Sequence, residues 1–382
     1  MRSMKRSLYL FFIAIVFVFV ACNNTKPEKN TSAKINVAVF NGSGVSANCV
    51  VETYEALKID TGISPAIISA AEITIGNIDE FDVIIFPGGS GSKEFNNLGQ
   101  IAAEKVRHFV ESGKGAVGIC AGGFLFSTTK DYPSLRLVSA TEWDREHYDK
   151  GRALVEFELT GEGIKLFPEL ENKKAFLQYY DGPVFMPADS GRSGKLDYIE
   201  YAKYVSDIVI HENYPAGITP GKTFLLGEMV GNGRAMVISG HPESTPGMRW
   251  IVPRMARWAA GKEMMNYNPK WVRPHLNESK IFYTPDLVKK EKEMFWHLTS
   301  KDVEKKLMAM QRLYEMRSRP AVRWNLGMLR DSNSEVRTKA AFLIKETEYT
   351  AALPDLKSAF EIESDDVAKS AINDAIVFLS DF

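Results

Sequence analysis

The chain has 382 residues, 45% of them apolar, and a formal net charge of −1. That length points to two domains, and the apolar content is ample for packed cores. Near-neutrality, with no basic run and no aromatic-studded patch, excludes an electrostatic route to nucleic acid, so no nucleic-acid partner is expected.

At the start, Arg2, Lys5 and Arg6 precede an apolar run from Leu8 to Ala21 that ends at Cys22. A basic head and a short apolar run closing on a small residue read as a secretory signal over residues 1–21. The run is shorter than the roughly 20 residues a spanning helix needs. Phe19-Val20-Ala21-Cys22 resembles a bacterial lipobox, with Phe19 in place of the usual leucine. That resemblance implies cleavage before Cys22, lipidation of Cys22 and a chain held on a lipid bilayer at the bacterial cell envelope, periplasmic or surface-facing. An ordinary signal peptide with an incidental cysteine is the alternative. Residues 22–33 are polar and suit a flexible tether. With Cys22 set aside only Cys49 and Cys120 remain, so no disulfide framework is expected. Cys49 sits in what reads as the first turn of a helix and is taken as a buried structural thiol.

From Lys34 strands and helices alternate. Ile35–Phe40 reads as a strand, 50–59 as a helix, Val83–Phe86 as a strand, 101–112 as a helix ended by Gly113, and 116–119 as a strand. This order implies an α/β fold with a doubly wound, mostly parallel sheet and functional loops at the strand C-termini. Further on, 153–159, 201–210 and 223–227 alternate, and 235–239 is apolar, which suggests antiparallel strands beside the parallel core. Residues 249–259 read as an amphipathic helix with Trp250, Ile251, Met255 and Trp258 inward. The first domain is thus set at 34–265 and a Pro-, Asn- and Tyr-rich linker at 266–286.

Residues 287–382 read as all-helical and repetitive. Asp331-Ser332-Asn333-Ser334-Glu335-Val336 and Ser364-Asp365-Asp366-Val367 each precede a helix with small inner residues, and a weaker copy starts at Ser300-Lys301-Asp302-Val303. Segments 321–329 and 353–360 are the expected partner helices. The pattern resembles short HEAT-type repeats, which bury their apolar faces only by stacking. A plain helical bundle is the alternative. Such a surface would serve a protein partner rather than chemistry.

The chemistry-bearing stretch is Gly115-Ala116-Val117-Gly118-Ile119-Cys120-Ala121-Gly122-Gly123. An apolar strand runs into a small-residue corner with a thiol at its apex, as in a nucleophile elbow. The helix that follows directs its N-terminus at the sulfur. Pro87-Gly88-Gly89-Ser90-Gly91 closes the neighbouring strand, and its N–H groups can approach a substrate carbonyl. Gly89 and Ala121 are therefore the expected oxyanion-hole donors. Far downstream, Gly240-His241-Pro242-Glu243 supplies a base, His241, and a group to orient it, Glu243. No metal-ligand spacing occurs and no cofactor is expected. His108, His147 and His211 are isolated, and His275 and His297 lack an acidic partner at ligand spacing.

The order and spacing of these three motifs resemble the class I glutamine amidotransferase family, over roughly Lys34 to Lys262. Within it, Pro87-Gly88-Gly89, Gly118-Ile119-Cys120-Ala121-Gly122, Tyr180-Asp181-Gly182-Pro183-Val184-Phe185 and Gly233-Arg234 are most similar to the branch at the N-terminus of eukaryotic biotin–protein ligases. The resemblance implies a Cys120–His241–Glu243 triad, with Gly88, Ser90, Tyr180, Asp181 and Gly182 as pocket candidates. The last three read equally well as a plain strand-connecting turn. Glutaminases of this family usually place a glutamine four residues after the nucleophile, where Phe124 stands here. The activity implied is a cysteine-dependent hydrolase of a small amide or peptide rather than a glutamine-using amidotransferase. The alternative is a ligand-binding lipoprotein that keeps the pocket without turnover.

Overall fold

The computed structural model describes residues 34–142, 151–188, 197–208 and 216–382. The signal segment, Cys22, the tether, His147 and His211 lie outside the described residues. In chain order the first half gives β1 (Ile35–Phe40), α1 (Ala47–Leu57), β2 (Ile63–Ile68), α2 (Ala70–Ile75), β3 (Val83–Phe86), α3 (Gly91–Glu111), β4 (Gly115–Ile119) and α4 (Ala121–Phe126). There follow β5 (Ala140–Glu142), β6 (Arg152–Leu159), α5 (Gly161–Leu166), β7 (Ala175–Tyr180), β8 (Phe185–Pro187), β9 (Ile199–Tyr204), β10 (Thr223–Val230), β11 (Gly233–Ile238), α6 (Ile251–Ala259) and β12 (Ile281–Phe282).

These strands form a single sheet whose main path runs β12-β6-β9-β10-β11-β4-β3-β1-β2. The segment β11-β4-β3-β1-β2 is wholly parallel, and everything beyond β11 pairs antiparallel. Apolar residues fill both faces of the parallel strands. Val83 and Ile85 point into the core that holds α1 and α6, whereas Ile84 and Phe86 face the core that holds α3 and α4. Covering both faces with helices is what a parallel sheet of continuous apolar runs requires. Pro65 lies within β2, which is tolerated because β2 is the edge strand. The chain winds from β1 outward to β2 and then returns to β3 on the other side. That reversal opens a crevice beyond the C-terminal ends of β1 and β3, the position where open α/β sheets bind ligands.

Two sequence expectations change here. The helix expected at 101–112 is only the second part of α3, which starts at Gly91 and kinks at Gly99 (φ 66°, ψ 173°). Residues 266–286 do more than link: β12 pairs with β6 and extends the sheet.

The C-terminal third is helical: α7 (Pro285–Leu298), α8 (Val303–Glu315), α9 (Arg319–Met328), α10 (Ser334–Glu346), α11 (Leu353–Ile362) and α12 (Asp366–Ser380). Asp302, Asn333 and Asp365 each accept first-turn backbone N–H groups, as the acidic and polar caps foretold. Ala340, Ala341, Ile344, Ile372 and Leu379 build a core of their own. The helices meet the α/β part through buried polar contacts. Glu291 pairs with Arg152 at 2.7 Å and accepts the Ser318 hydroxyl at 2.6 Å. Glu348 accepts the Gly247 N–H at 2.8 Å and pairs with Arg273. Lys34–Phe382 is one compact unit. Among the described residues no helix is long and apolar enough to cross a membrane.

Candidate active site

Cys120 occupies the sharp corner between β4 and α4, with φ 52° and ψ −102°. A non-glycine residue with positive φ is strained, and that strain is sustained only where the surroundings fix it. Its N–H donates to the Ile238 carbonyl at 2.9 Å, which ties the corner to β11. The flanking glycines are forced by close approach. A Cβ on Gly118 would lie 2.5 Å from the Gly122 carbonyl oxygen, and one on Gly122 would collide with the Phe86 carbonyl. The thiol is 5% exposed as a residue and donates to the Tyr180 carbonyl at 3.3 Å.

His241 follows β11. Its backbone N–H donates to the Gln178 carbonyl at 2.7 Å, so β7 holds it in place. The ring is buried, Nδ1 lies 2.7 Å from Glu243 Oε1, and Nε2 has no hydrogen-bond partner among the described residues. Burial works against protonation of this imidazole. Cys120 and Glu243 outweigh it and hold the His241 pKa well above its ordinary value. Burial likewise works against ionisation of Glu243, but His241 and Arg319 keep its pKa below the usual carboxylate range. Gly88 has to be a glycine here, since a Cβ would stand 2.5 Å from His241 Cε1.

Ser46, Cys49, Gly89, Cys120, Tyr180, His241 and Arg319 line a shared cavity of about 260 Å³. Of the expected oxyanion donors, Gly89 lines it directly and Ala121 is the first residue of α4. Among the described residues neither N–H donates a hydrogen bond, so both stay available. The other pocket candidates separate. Tyr180 lines the cavity, and its ring lies edge-on to His241 at 5.7 Å. Gly88 backs onto His241, and Ser90 is the N-cap of α3. Asp181 accepts the Gly151 N–H, and Gly182 packs against the Ser239 carbonyl. Phe124 is buried on α4, with its ring 5.9 Å from that of Tyr132.

Sequence reasoning missed two residues. Cys49, read as a structural thiol, opens into the same cavity as Cys120. Its place just past the C-terminal end of β1, in the crevice of a doubly wound sheet, was the available signal. Arg319, the first residue of α9, reaches in from the helical region and carried no such signal. Its Nη2 contacts Cys49 Sγ at 3.2 Å and Glu243 Oε1 at 3.4 Å, and its Nε donates to Glu52 at 3.0 Å. Cys49, His241 and Glu243 bring donor atoms within 4.8 Å of one another, a set that spacing had not suggested. The guanidinium already lies on two of the three donors, so a metal ion there would meet a cation.

Residues 35–136 match the family described as the biotin–protein ligase N terminal. A 110-residue stretch is 32% identical to the phosphoribosylformylglycinamidine synthase subunit PurQ of Methanopyrus kandleri, covering 28% of this chain and 46% of that protein. The chain therefore spans about half the length of that curated relative. Among solved structures, PurLQS of Thermotoga maritima aligns with 59% of this chain and 97% of its own at 16% identity and a TM-score of 0.42. A thua-like protein of Bacteroides uniformis aligns with 64% and 98% at 15% identity, also with a TM-score of 0.42.

Proposed function

The α/β domain is glutamine amidotransferase-like, and from that we propose that the chain hydrolyses a small amide or peptide bond through Cys120, His241 and Glu243. The observation that carries this reading is the buried Nε2 of His241, left without a hydrogen-bond partner among the described residues while Glu243 fixes Nδ1. A base whose second nitrogen is anchored and whose first is vacant is set to take a thiol proton. The strained corner supports it by presenting the sulfur into the same cavity.

In the proposed cycle the Cys120 thiol leaves the Tyr180 carbonyl and passes its proton to His241 Nε2. The sulfur attacks the substrate carbonyl carbon, and the resulting oxyanion accepts hydrogen bonds from the N–H groups of Gly89 and Ala121. Collapse expels the amine, which takes the proton from His241 and leaves a thioester on Cys120. Water, deprotonated by His241, attacks the thioester carbonyl carbon, the C–S bond breaks to release the acid, and His241 returns the proton to the Cys120 sulfur. Glu243 keeps one tautomer throughout and stabilises the imidazolium. Phe124, packed against Tyr132 and away from the cavity, supports leaving glutamine-dependent amidotransfer out of the proposal.

Site-resolved iodoacetamide labelling tests the reading. Cys120 should react faster than Cys49, and His241→Ala should slow it by about 10²–10⁴-fold, the usual contribution of a general base. Equal labelling of both thiols, unchanged by that substitution, would overturn it. Arg319 and Pro320 of the helical region line the cavity beside Cys120, which supports a second reading, a ligand-binding protein without turnover. Under that reading Cys120→Ser leaves ligand affinity intact and no acyl intermediate accumulates in the parent protein.

We further propose, from residues 1–22 alone, that Cys22 carries lipid and holds the enzyme at a bacterial envelope, with the helical surface open to a protein partner. Incorporation of labelled palmitate, lost in Cys22→Ala, is the expected result. Unchanged incorporation in that variant removes the anchor.

A further inference from the structure

Arg319 is used on only part of its guanidinium. The Nε and Nη2 edge is taken up by Glu52, Cys49 and Glu243. Among the described residues Nη1 makes no hydrogen bond, and it is not one of the sealed polar atoms that lack a partner. The side chain as a whole is 10% exposed, and the residue lines the Cys120 cavity. Nη1 is therefore the part of the guanidinium left for a further partner, on a side chain that lines that cavity. The guanidinium is held in place by Glu52 and by the Tyr180 ring, whose centroid lies 5.7 Å from its central carbon.

The N-terminus of α1 faces the same space. Ser46 is its N-cap but makes no side-chain cap hydrogen bond, and the first turn holds no acidic residue. Both Ser46 and Asn48 line the cavity. The first backbone N–H groups of a helix lack internal partners and carry partial positive charge. A fixed arginine edge and an uncapped helix start thus converge beside the nucleophile.

We propose that these groups form an anion subsite for one carboxylate, so that the substrate is a small amide carrying a free carboxylate close to the scissile bond. The subsite rests on the hydrolase reading only for the word substrate; the binding itself does not require turnover. Charge selects a carboxylate over a phosphate. Glu52 and Glu243 together match the charges of Arg319 and His241. The Nη1 donors and the partial positive charge of the helix start are thus what is left for a ligand, enough to hold a monoanion while the two carboxylates repel a dianion. The two N–H groups left on Nη1 also suit a carboxylate oxygen as acceptor. Size selects a small molecule, since about 260 Å³ is below the usual range for drug-sized ligands.

The test is calorimetric titration of a Cys120→Ala variant with N-acetylglycine and with N-acetylglycinamide, which differ only in the charged group. The carboxylate should bind at least tenfold more tightly. In Arg319→Gln/Glu52→Gln, which leaves neither buried charge unpaired, the two probes should bind alike. Arg319→Lys, which keeps the charge and the Glu52 pair, should fall between. Equal affinity for the two probes, no binding of either at millimolar concentration, or a preference that survives the double substitution overturns the subsite. Carboxylate preference in Cys120→Ala beside an iodoacetamide-inert Cys120 in the parent protein would remove the hydrolase reading and leave the subsite standing.

Discussion

Glu94 offers a quantitative test of how this site is built. It lies in the first turn of α3, is fully buried, and neither carboxyl oxygen has a hydrogen-bond partner among the described residues. Burial, with a smaller contribution from Cys49, pushes its pKa from 4.5 up to about 8. Between those two values the folded chain binds a proton that the unfolded chain releases, so stability falls as pH rises across that window. At pH 7 the window has been crossed for about 2.5 pH units, and at about 1.4 kcal/mol per unit the penalty is about 3 kcal/mol. Glu94→Gln removes the titration and keeps the shape. Urea unfolding should then show the variant about 3 kcal/mol more stable than the parent near pH 7, with the gain shrinking toward zero near pH 4.5. A gain of the same size at both pH values, or a loss at pH 7, refutes the assignment of a neutral buried carboxyl. The neutral form also keeps a negative charge away from Cys49 and the cavity.

Three further outcomes are expected. Gly122→Ala drives a methyl group into the Phe86 carbonyl, so the elbow should shift: thermal unfolding should show a loss of about 1–3 kcal/mol, and Cys120 labelling should slow. Asp60 is fully buried and pairs with Arg257, and it also accepts the Gly62 N–H at 2.9 Å and the Tyr267 hydroxyl at 3.2 Å. Arg257→Ala should cost about 3–5 kcal/mol in urea unfolding by stranding that carboxylate, whereas a loss below about 1 kcal/mol would show that water replaces the arginine. Asp365→Ala removes the cap of α12, which accepts from Val367 and Ala368, and should destabilise by about 1 kcal/mol. No change in the melting curve would mean that the cap is already satisfied by solvent.

Much of the α/β core was legible because its signals are local. The apolar runs at 35–40 and 83–86, and the small-residue corner at Cys120, each state their conformation within a few residues. Edge strand β2 was not seen, since Pro65 and a mixed burial pattern blur its period. The first part of α3 was lost because Gly91 to Gly99 is polar and bounded by glycines, which reads as loop. For β7 the difficulty was different: Ala175–Tyr179 is buried throughout, so no alternation marks it as a strand. Within the site, Cys120, His241 and Glu243 sit in motifs whose spacing carries meaning. Arg319 sits in none. Its role comes from how the helical region docks, a fact of tertiary structure that no window of sequence contains.

That docking bears on when the site comes into being. Cys120 and its corner are synthesised early, but the guanidinium beside the cavity belongs to α9, and Glu348, which holds Gly247 just after the His241–Glu243 turn, follows α10. Contacts this distant in sequence form late, after the costly closure of long loops. A chain still emerging from the ribosome thus carries its thiol without the groups that complete the cavity. Maturation of the cleft waits until α9 and Glu348 have been made, as if the helical region were the last key turned.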